Sequence, residues 1–347
     1  ETLSMKEGSE VFVIPYSLAR YSDGGWETGY EALGKADFEF QVDDLLEKAL
    51  SEKKVLMDGR YTEASVLLEI FIRNICSAAR MRYDFDISDR AVVTMPKVTA
   101  GELALFDRIK DSFPAEAVFL RDHKEAFASY VMSRQPGIYR DAVYLYDHDG
   151  EELRTLCLER DERLRPTVVK VKEEVYPSFG VKGFPKKLKI DPEKLDAEFN
   201  ELIRKNLDER SVSAAYLVGE GFDGVPIKKS IALLCDGRRV FTGQNLYSRG
   251  ACCLAVHMDD KNREHVYLGE SKTKANMCVD VMDAQGLRKM TLISAGENWY
   301  ETESDMEFIL DGGDLLDILL ISPDGTQKKT EQLKLEGLPE RPGRMTR

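Results

Sequence analysis

A glycine-rich turn is the first place where this sequence could hold a ligand. The apolar segment Ala215–Val218 is predicted to be a strand, and the six residues after it, Gly219-Glu220-Gly221-Phe222-Asp223-Gly224, contain three glycines. Glycine is costly in a chain unless the backbone needs positive φ or another group must approach it closely. A helix predicted from about Pro226 would direct its free N–H groups and its positive dipole end at this turn. The pattern therefore predicts a nucleotide-binding turn.

Other ligand-binding and catalytic motifs are missing from the sequence. The turn does not follow the G-x-G-x-x-G dinucleotide pattern, and neither a P-loop nor a G-x-S-x-G nucleophile motif occurs. The four histidines have no cysteine at metal-ligand spacing, so we expect no metal site. His148 could contact a ligand from its place in a predicted turn, although an exposed turn histidine is the commoner case. These patterns assign no catalytic residue.

A second candidate phosphate-binding segment is the hairpin that follows the predicted strand Ala142–Asp147. The chain runs through His148-Asp149-Gly150-Glu151-Glu152 into a second predicted strand, Arg154–Glu159. The three acidic side chains of this turn would repel a phosphate unless a cation lay between them. The alternative is a tight β-hairpin with a purely structural role, and for catalysis we favour this alternative.

Length and charge limit the class of protein. A chain of 347 residues is expected to form two or three domains. Its net charge of −13 argues against binding to a nucleic-acid backbone, and no apolar run approaches the roughly 20 residues that cross a membrane. The six cysteines are scattered and have no C-x-x-C spacing, which favours reduced thiols and a cytoplasmic location.

Strands and helices are predicted to alternate through most of the chain. The predicted elements before the glycine turn are strand Val11–Ile14, a helix from about Ala64 to Ile75, strand Arg90–Met95, a helix capped by Thr99, strand Ala117–Leu120, helix His123–Met132 and a helix from Pro192 to Leu207. After the turn, Gly250-Ala251 is predicted to open a helix of small residues. This alternation predicts an α/β class.

The C-terminal part is predicted to be all β. Its predicted strands are Ala275–Met282, Leu287–Ser294, Met306–Leu310, Leu315–Ser322 and Lys328–Leu335. Short strands at even spacing suggest a small β-sandwich. The aromatic pair Trp299-Tyr300 could line a peptide site or pack in the core of this part.

The order of these segments resembles the actin/Hsp70 ATPase superfamily, and Hsp70-like proteins in particular. The segment Val218-Gly219-Glu220-Gly221 is similar to the Val-Gly-Gly turn of the adenosine site, with a glutamate between the glycines, and Gly250-Ala251 matches the later Gly-Ala pair. The runs VVTMP and VFLRD match strands of lobe I in kind and order. The segment Leu333–Gly343 is similar to the end of the Hsp70 substrate-binding β-domain.

The resemblance implies a two-lobed, actin-like (ribonuclease H-like) α/β fold followed by a small all-β domain. Residues 1–140 would form lobe I, 141–258 a reduced lobe II, 259–274 a linker, and 275–347 a β-domain without a helical lid. The phosphate-1 hairpin of the superfamily has no counterpart before Val11, so we expect the first strands of lobe I to lie upstream of Glu1.

The resemblance also implies a ligand site. Gly219, Glu220, Gly221 and Phe222 would lie at adenosine, while Asp147 and Gly150 would face phosphate or magnesium; these six would be the cofactor-binding residues.

Three functions then stay open. The first is an Hsp70-like protein that binds ATP or ADP with magnesium, or is a degenerate ATPase, and engages a protein or peptide partner through its β-domain. The second is a non-catalytic interaction scaffold, a pseudo-ATPase with no cofactor. An active chaperone ATPase ranks last.

Overall fold

Residues 12–34, 37–83, 88–183, 189–258, 265–306 and 313–337 are described by a computed structural model, in which seven α-helices and several sheets form a mixed α/β protein. The α/β class predicted from the alternation of elements is thus confirmed. The chain divides into two units. The first comprises Glu1–Cys157 and Glu173–Asp259, and the second comprises Leu158–Lys172 and Asp260–Arg347.

The helices and strands are numbered in chain order. The helices are α1 (Leu45–Leu50), α2 (Ala64–Tyr83), α3 (Ala100–Ile109), α4 (His123–Met132), α5 (Pro192–Glu209), α6 (Lys228–Leu234) and α7 (Leu246–Val256). The strands before α5 are β1 (Leu18–Arg20), β2 (Trp26–Thr28), β3 (Phe40–Val42), β4 (Lys54–Met57), β5 (Arg60–Glu63), β6 (Ser88–Met95), β7 (Ala115–Asp122), β8 (Ala142–His148), β9 (Leu153–Asp161), β10 (Thr167–Tyr176), β11 (Val181–Lys182) and β12 (Lys189–Ile190). The later strands are β13 (Val212–Val218), β14 (Arg239–Thr242), β15 (His265–Tyr267), β16 (Asn276–Asp283), β17 (Gly286–Ile293), β18 (Leu315–Ile321) and β19 (Lys328–Lys334).

Local side-chain chemistry fixes the starts of three helices of the first unit, α3, α4 and α5. Thr99 and Glu102 form a capping box at α3, and the Asp122 carboxylate accepts the Glu125 N–H at 2.7 Å to cap α4. Asp191 accepts two N–H groups at the start of α5, where Pro192 occupies the first helical position. Helix α4 matches its prediction from sequence residue for residue.

The predicted start of α7 at Gly250 is wrong. The helix begins at Leu246, and Gly250 lies near its middle, where a Cβ would stand 2.1 Å from the carbonyl oxygen of Ala126 in α4. The glycine is therefore needed for close helix–helix packing and does not mark a helix end.

The predicted first strand is also wrong where it is described. Phe12–Ile14 have no regular structure, and Val11 lies outside the described residues. Pro15 follows directly and has no N–H to donate to a ladder. The chain instead forms β1, the centre of a three-stranded antiparallel sheet in the order β2-β1-β3.

A six-stranded sheet in the order β14-β13-β8-β9-β10-β15 positions the candidate site. Strand β13 is parallel to both β8 and β14, with Val218 opposite Asp147. The carboxyl ends of β8 and β13 therefore lie side by side, at the edge where α/β sheets commonly bind ligands. Tyr144 and Tyr146 of β8 pack with Phe199 of α5 in the main core on one face of the sheet.

In the second unit, strands β16 to β19 form an antiparallel sheet in the order β17-β16-β18-β19. Four of the five predicted C-terminal strands are thereby found. Met306 has no regular structure, and the rest of the fifth lies outside the described residues. The described residues after 275 pair as one sheet, so the two layers of the predicted sandwich are not seen among them.

No helix in the described part of the chain combines the length and the apolar character needed to cross a membrane.

Candidate functional site

The glycine turn after β13 packs directly against His148 at the end of β8. Gly219 has a φ of +93°, and a Cβ at this position would stand 2.2 Å from the His148 carbonyl oxygen. A Cβ at Gly221 would stand 1.9 Å from Nδ1 of the His148 ring. Both distances are far below a van der Waals contact. The two glycines are therefore needed because His148 packs against them, and no ligand is required to explain them.

His148 is fully buried, contrary to the exposed turn histidine that the sequence favoured. Its Nδ1 accepts the Gly150 N–H at 2.9 Å, and Nε2 lies 2.9 Å from the Phe179 carbonyl oxygen. This pairing requires the neutral tautomer with the proton on Nε2. The ring also contacts Phe222 edge-on at a centroid distance of 5.5 Å. The imidazole is consequently a satisfied core group between the hairpin and the glycine turn.

The N–H groups of the hairpin turn are bonded within the hairpin. Gly150 donates to the His148 ring, and the N–H groups of Glu151 and Glu152 both donate to Oδ1 of Asp149 at 2.9 Å. These three donors would be the natural ligands of a phosphate at this position. The hairpin therefore satisfies its own polar groups without a ligand.

The six predicted site residues fall into three environments. Gly221, Phe222 and Gly150 contact the His148 ring and Gly219 contacts the His148 backbone, so the structure brings these four together. Glu220 is exposed at the surface of the turn. Asp147 makes its contacts through a different set of side chains, because successive strand residues point to opposite faces of a sheet.

Asp147 accepts a hydrogen bond from the Tyr247 hydroxyl at 2.7 Å. Burial raises the pKa of the Asp147 carboxyl above its ordinary value, although the Tyr247 hydrogen bond and the charge of Arg154 oppose the shift. Burial also raises the pKa of Tyr247. The Tyr247 hydroxyl therefore stays protonated and donates a hydrogen bond to the Asp147 carboxyl group.

The Tyr247 ring stacks on His123, the first residue of α4, with centroids 3.9 Å apart and planes 15° apart. The Nδ1 atom of His123 is buried and has no hydrogen-bond partner among the described residues. Burial, assisted by the positive charge of Arg154, lowers the pKa of His123 to about 3. His123 is thus a neutral imidazole with one unused nitrogen.

Charged side chains continue this cluster. Lys124, which is buried, lies 3.1 Å from Oε2 of Glu173, and Arg154 lies 3.1 Å from Oε1 of the same carboxylate. Arg154 also contacts Glu152 at 3.1 Å. We call Asp147, Tyr247, His123, Lys124, Arg154 and Glu173 the polar cluster. It combines two carboxyl groups, of which Glu173 is shared by both cations, with a tyrosine hydroxyl and a neutral imidazole, at the carboxyl ends of β7 and β8.

An apolar groove of about 440 Å³ lies on the other side of the glycine turn. Its lining comes from the end of β13, the turn itself, α6 and β14, and comprises Leu217, Phe222, Val225, Ile227, Lys228, Ile231, Ala232 and Thr242. A groove of this volume can take one or two apolar side chains of a ligand.

Sequence reasoning missed most of the polar cluster. A signal was available for His123 and Lys124, because the five ionisable residues Arg121–Glu125 directly follow the apolar part of strand β7. Tyr247 could not be found in this way, because it reaches Asp147 across 100 positions of the chain. No group of three or more potential metal ligands is found among the described residues.

Comparison with known proteins places most of the chain in one family. Residues 272–347 match the model described as "Domain of unknown function (DUF8552)". A search of curated proteins gives no match to the chain. Residues 1–270 match the model described as "Family of unknown function (DUF5716) C-terminal", which covers more than half of the chain, and the protein therefore belongs to this family.

Proposed function

We propose that this chain is an Hsp70-like, actin-fold-type scaffold that engages a protein or peptide partner and does not hydrolyse ATP. One observation carries the proposal: the hairpin and the glycine turn close on each other through the His148 side chain. In the superfamily that the sequence resembles, these two segments hold phosphate and adenosine on opposite sides of a cleft. Here the two segments pack directly against each other around His148.

The free energy needed to separate the hairpin from the glycine turn supports a non-catalytic role. A nucleotide phosphate would have to take over the Gly150, Glu151 and Glu152 N–H groups, each of which already has a side-chain acceptor. Moving the His148 ring out of its site would break both of its hydrogen bonds, and the Phe179 carbonyl oxygen left buried without a partner would cost about 1 to 3 kcal/mol. The carboxylates of the same turn would also repel the phosphate.

The competing hypothesis is an Hsp70-like protein that binds ATP or ADP with magnesium. It is favoured by the position of Asp147 and Gly219 at the carboxyl ends of two adjacent parallel strands. Asp147 would then lie towards the metal and Phe222 towards the adenine. An active chaperone ATPase requires this same arrangement and a reactive water as well.

Titration with Mg·ATP separates these hypotheses. The scaffold is expected to give no saturable heat and no rise in melting temperature. A nucleotide that did bind would add about 2.7 kcal/mol of stability at 100 times its Kd and would raise the melting temperature. Phosphate release is expected to equal that of buffer. Saturable binding that is lost in Asp147→Asn and kept in Asp236→Asn, an exposed carboxylate elsewhere, would contradict the proposal.

The partner is proposed to bind the β-domain at exposed apolar side chains of its sheet. Met282 and Leu287 lie directly opposite each other in the β16–β17 register, and they are 74% and 69% exposed. Paired exposed apolar residues at the end of a hairpin favour a protein-contact surface.

The β-domain contact is tested with a fluorescein-labelled, leucine-rich heptapeptide followed by fluorescence anisotropy. Binding is expected to weaken about tenfold in the Met282→Lys/Leu287→Lys double variant. Met81→Lys, on the 83% exposed Met81 of α2, is the matched control and should leave it unchanged. Equal affinity for all three proteins would remove this surface from the proposal while leaving the nucleotide result intact.

A further inference from the structure

Strand β14 forms one edge of the six-stranded sheet. It pairs in parallel with β13 through Arg239–Thr242, opposite Ala214–Leu217, and within the described residues no other strand pairs with it. The backbone groups on its outer side have no protein partner in the described part of the chain. Such an edge is a template for an added strand.

The apolar groove opens beside this edge. Leu217 and Thr242, which are opposite each other in the parallel register, form its floor, and Ile231 and Ala232 of α6 form its wall. In recognition by strand addition, backbone hydrogen bonds at the edge supply affinity and adjacent pockets take alternate side chains. A groove of about 440 Å³ next to a free edge provides both parts.

The charges around the edge indicate the chemistry of the ligand. Lys228 at the start of α6 and Arg239 at the start of β14 are both exposed. Neither forms an ion pair with any described residue. Two unpaired cations stand out on a chain whose net charge is −13. They favour an acidic ligand.

We propose that β14 and the apolar groove bind an extended, acidic peptide segment of a partner protein, which adds as a strand and inserts an apolar side chain between α6 and β14. This surface belongs to the first unit and is independent of the Met282–Leu287 pair. Either contact can therefore fail without the other.

The probe is a fluorescein-labelled octapeptide of alternating glutamate and valine, followed by fluorescence anisotropy with the full chain. Saturable binding is expected with a Kd below about 1 mM, the limit at which the binding free energy is about −4 kcal/mol. Two further octapeptides are N-methylated at every glutamate or at every valine. Because successive N–H groups of a strand point to opposite edges, one of these two should lose binding and the other should keep it.

Two variants with matched controls locate the site. Ala232→Trp fills the groove from an exposed helix position and should weaken binding at least about tenfold, whereas Ala78→Trp on the exposed face of α2 should not. Arg239→Glu should weaken binding about threefold to tenfold at low salt, with a smaller effect at high salt, whereas Arg80→Glu should not.

Four results would overturn the proposal. The octapeptide could fail to saturate up to about 1 mM, or both N-methylated peptides could bind as well as the parent. Competitive displacement of the octapeptide by Mg·ATP would assign the groove to a nucleotide. A dimer in sedimentation equilibrium that Ala232→Trp dissociates would assign the edge to a second copy of this chain.

Discussion

Asp147 and His148 are consecutive residues of β8, yet their surroundings are opposite in character. His148 is enclosed on the side of the glycine turn, with both ring nitrogens bonded and two glycines in contact with it. Asp147 lies in the polar cluster and accepts a hydrogen bond from Tyr247, whose ring stacks on His123, an imidazole with an unused nitrogen among the described residues. The glycine turn, which most resembles a ligand site in the sequence, is filled by His148. The nitrogen without a partner among the described residues belongs to His123 of the polar cluster.

Alanine substitutions at the two turn glycines give the largest expected effect on this comparison. Gly219→Ala and Gly221→Ala should each destabilise the protein by about 3 kcal/mol or more, because each added Cβ overlaps His148. The obstacle differs: it is the His148 backbone for Gly219 and the His148 ring for Gly221. Adding His148→Ala should therefore recover about 2 kcal/mol for Gly221→Ala and nothing for Gly219→Ala.

Urea unfolding followed by circular dichroism measures this cycle. Gly243→Ala is the control, because a Cβ there has no neighbour within 4 Å and the φ of Gly243 is not positive. Rescue of both glycine variants by His148→Ala, or of neither, would show that the ring does not fill the turn as described.

The elements with strong local signals could be predicted from the sequence. The helix His123–Met132 follows an Asp N-cap, and the helix from Pro192 follows Asp191, so side chains within a few positions define both starts. The start of α7 could not be predicted in this way, because Gly250 packs against a carbonyl group 124 positions away, in α4. Glycines serve both turns and close contacts, and only the tertiary structure separates the two uses.

The candidate site could be predicted only in part for a related reason. The resemblance placed the glycine turn at adenosine and the Gly150 hairpin at phosphate, on the two sides of an open cleft, whereas in the structure both segments pack around His148. The identity of that side chain was not predictable, because His148 reads as a turn residue when its partners Phe179 and Gly221 are unknown. The pairing of Tyr247 with Asp147 has no local signal at all.

The pH dependence of stability tests the polar cluster through His123. Its pKa is about 3 in the folded protein against 6.5 ordinarily, so between these values the unfolded chain binds a proton that the folded chain does not. The contribution of His123 is therefore present above pH 6.5 and is lost as the pH falls towards 3. His123→Phe keeps a ring against Tyr247 and should flatten the slope of unfolding free energy by up to about 1.4 kcal/mol per pH unit.

Urea midpoints measured from pH 4 to pH 7.5 give this slope. Tyr247→Phe is the control, because it keeps the stacked ring and leaves intact the burial and the Arg154 charge that lower the pKa of His123. It should keep the slope of the unmodified chain. Parallel curves for His123→Phe and the unmodified chain would place His123 in a more hydrated site than the polar cluster provides.

The smallest expected effect has the opposite sign and comes from Asp147. Its folded pKa is raised above the ordinary value of 3.8, so the stability tied to its protonated form is present below pH 3.8 and is lost as the pH rises. Asp147→Asn keeps an acceptor for Tyr247 without the charge, and at pH 7 it should stabilise the protein by about 1 kcal/mol or less.

Asp196 is the matched control: burial raises its pKa, but hydrogen bonds from Ser230 and from the Lys229 N–H outweigh burial and lower it. Asp196→Asn should therefore destabilise the protein at pH 7, and both differences should shrink as the pH falls towards 3.5 in urea titrations. An Asp147→Asn variant less stable than the unmodified chain at pH 7 would mean that the carboxylate of the polar cluster is satisfied as fully as the His148 ring.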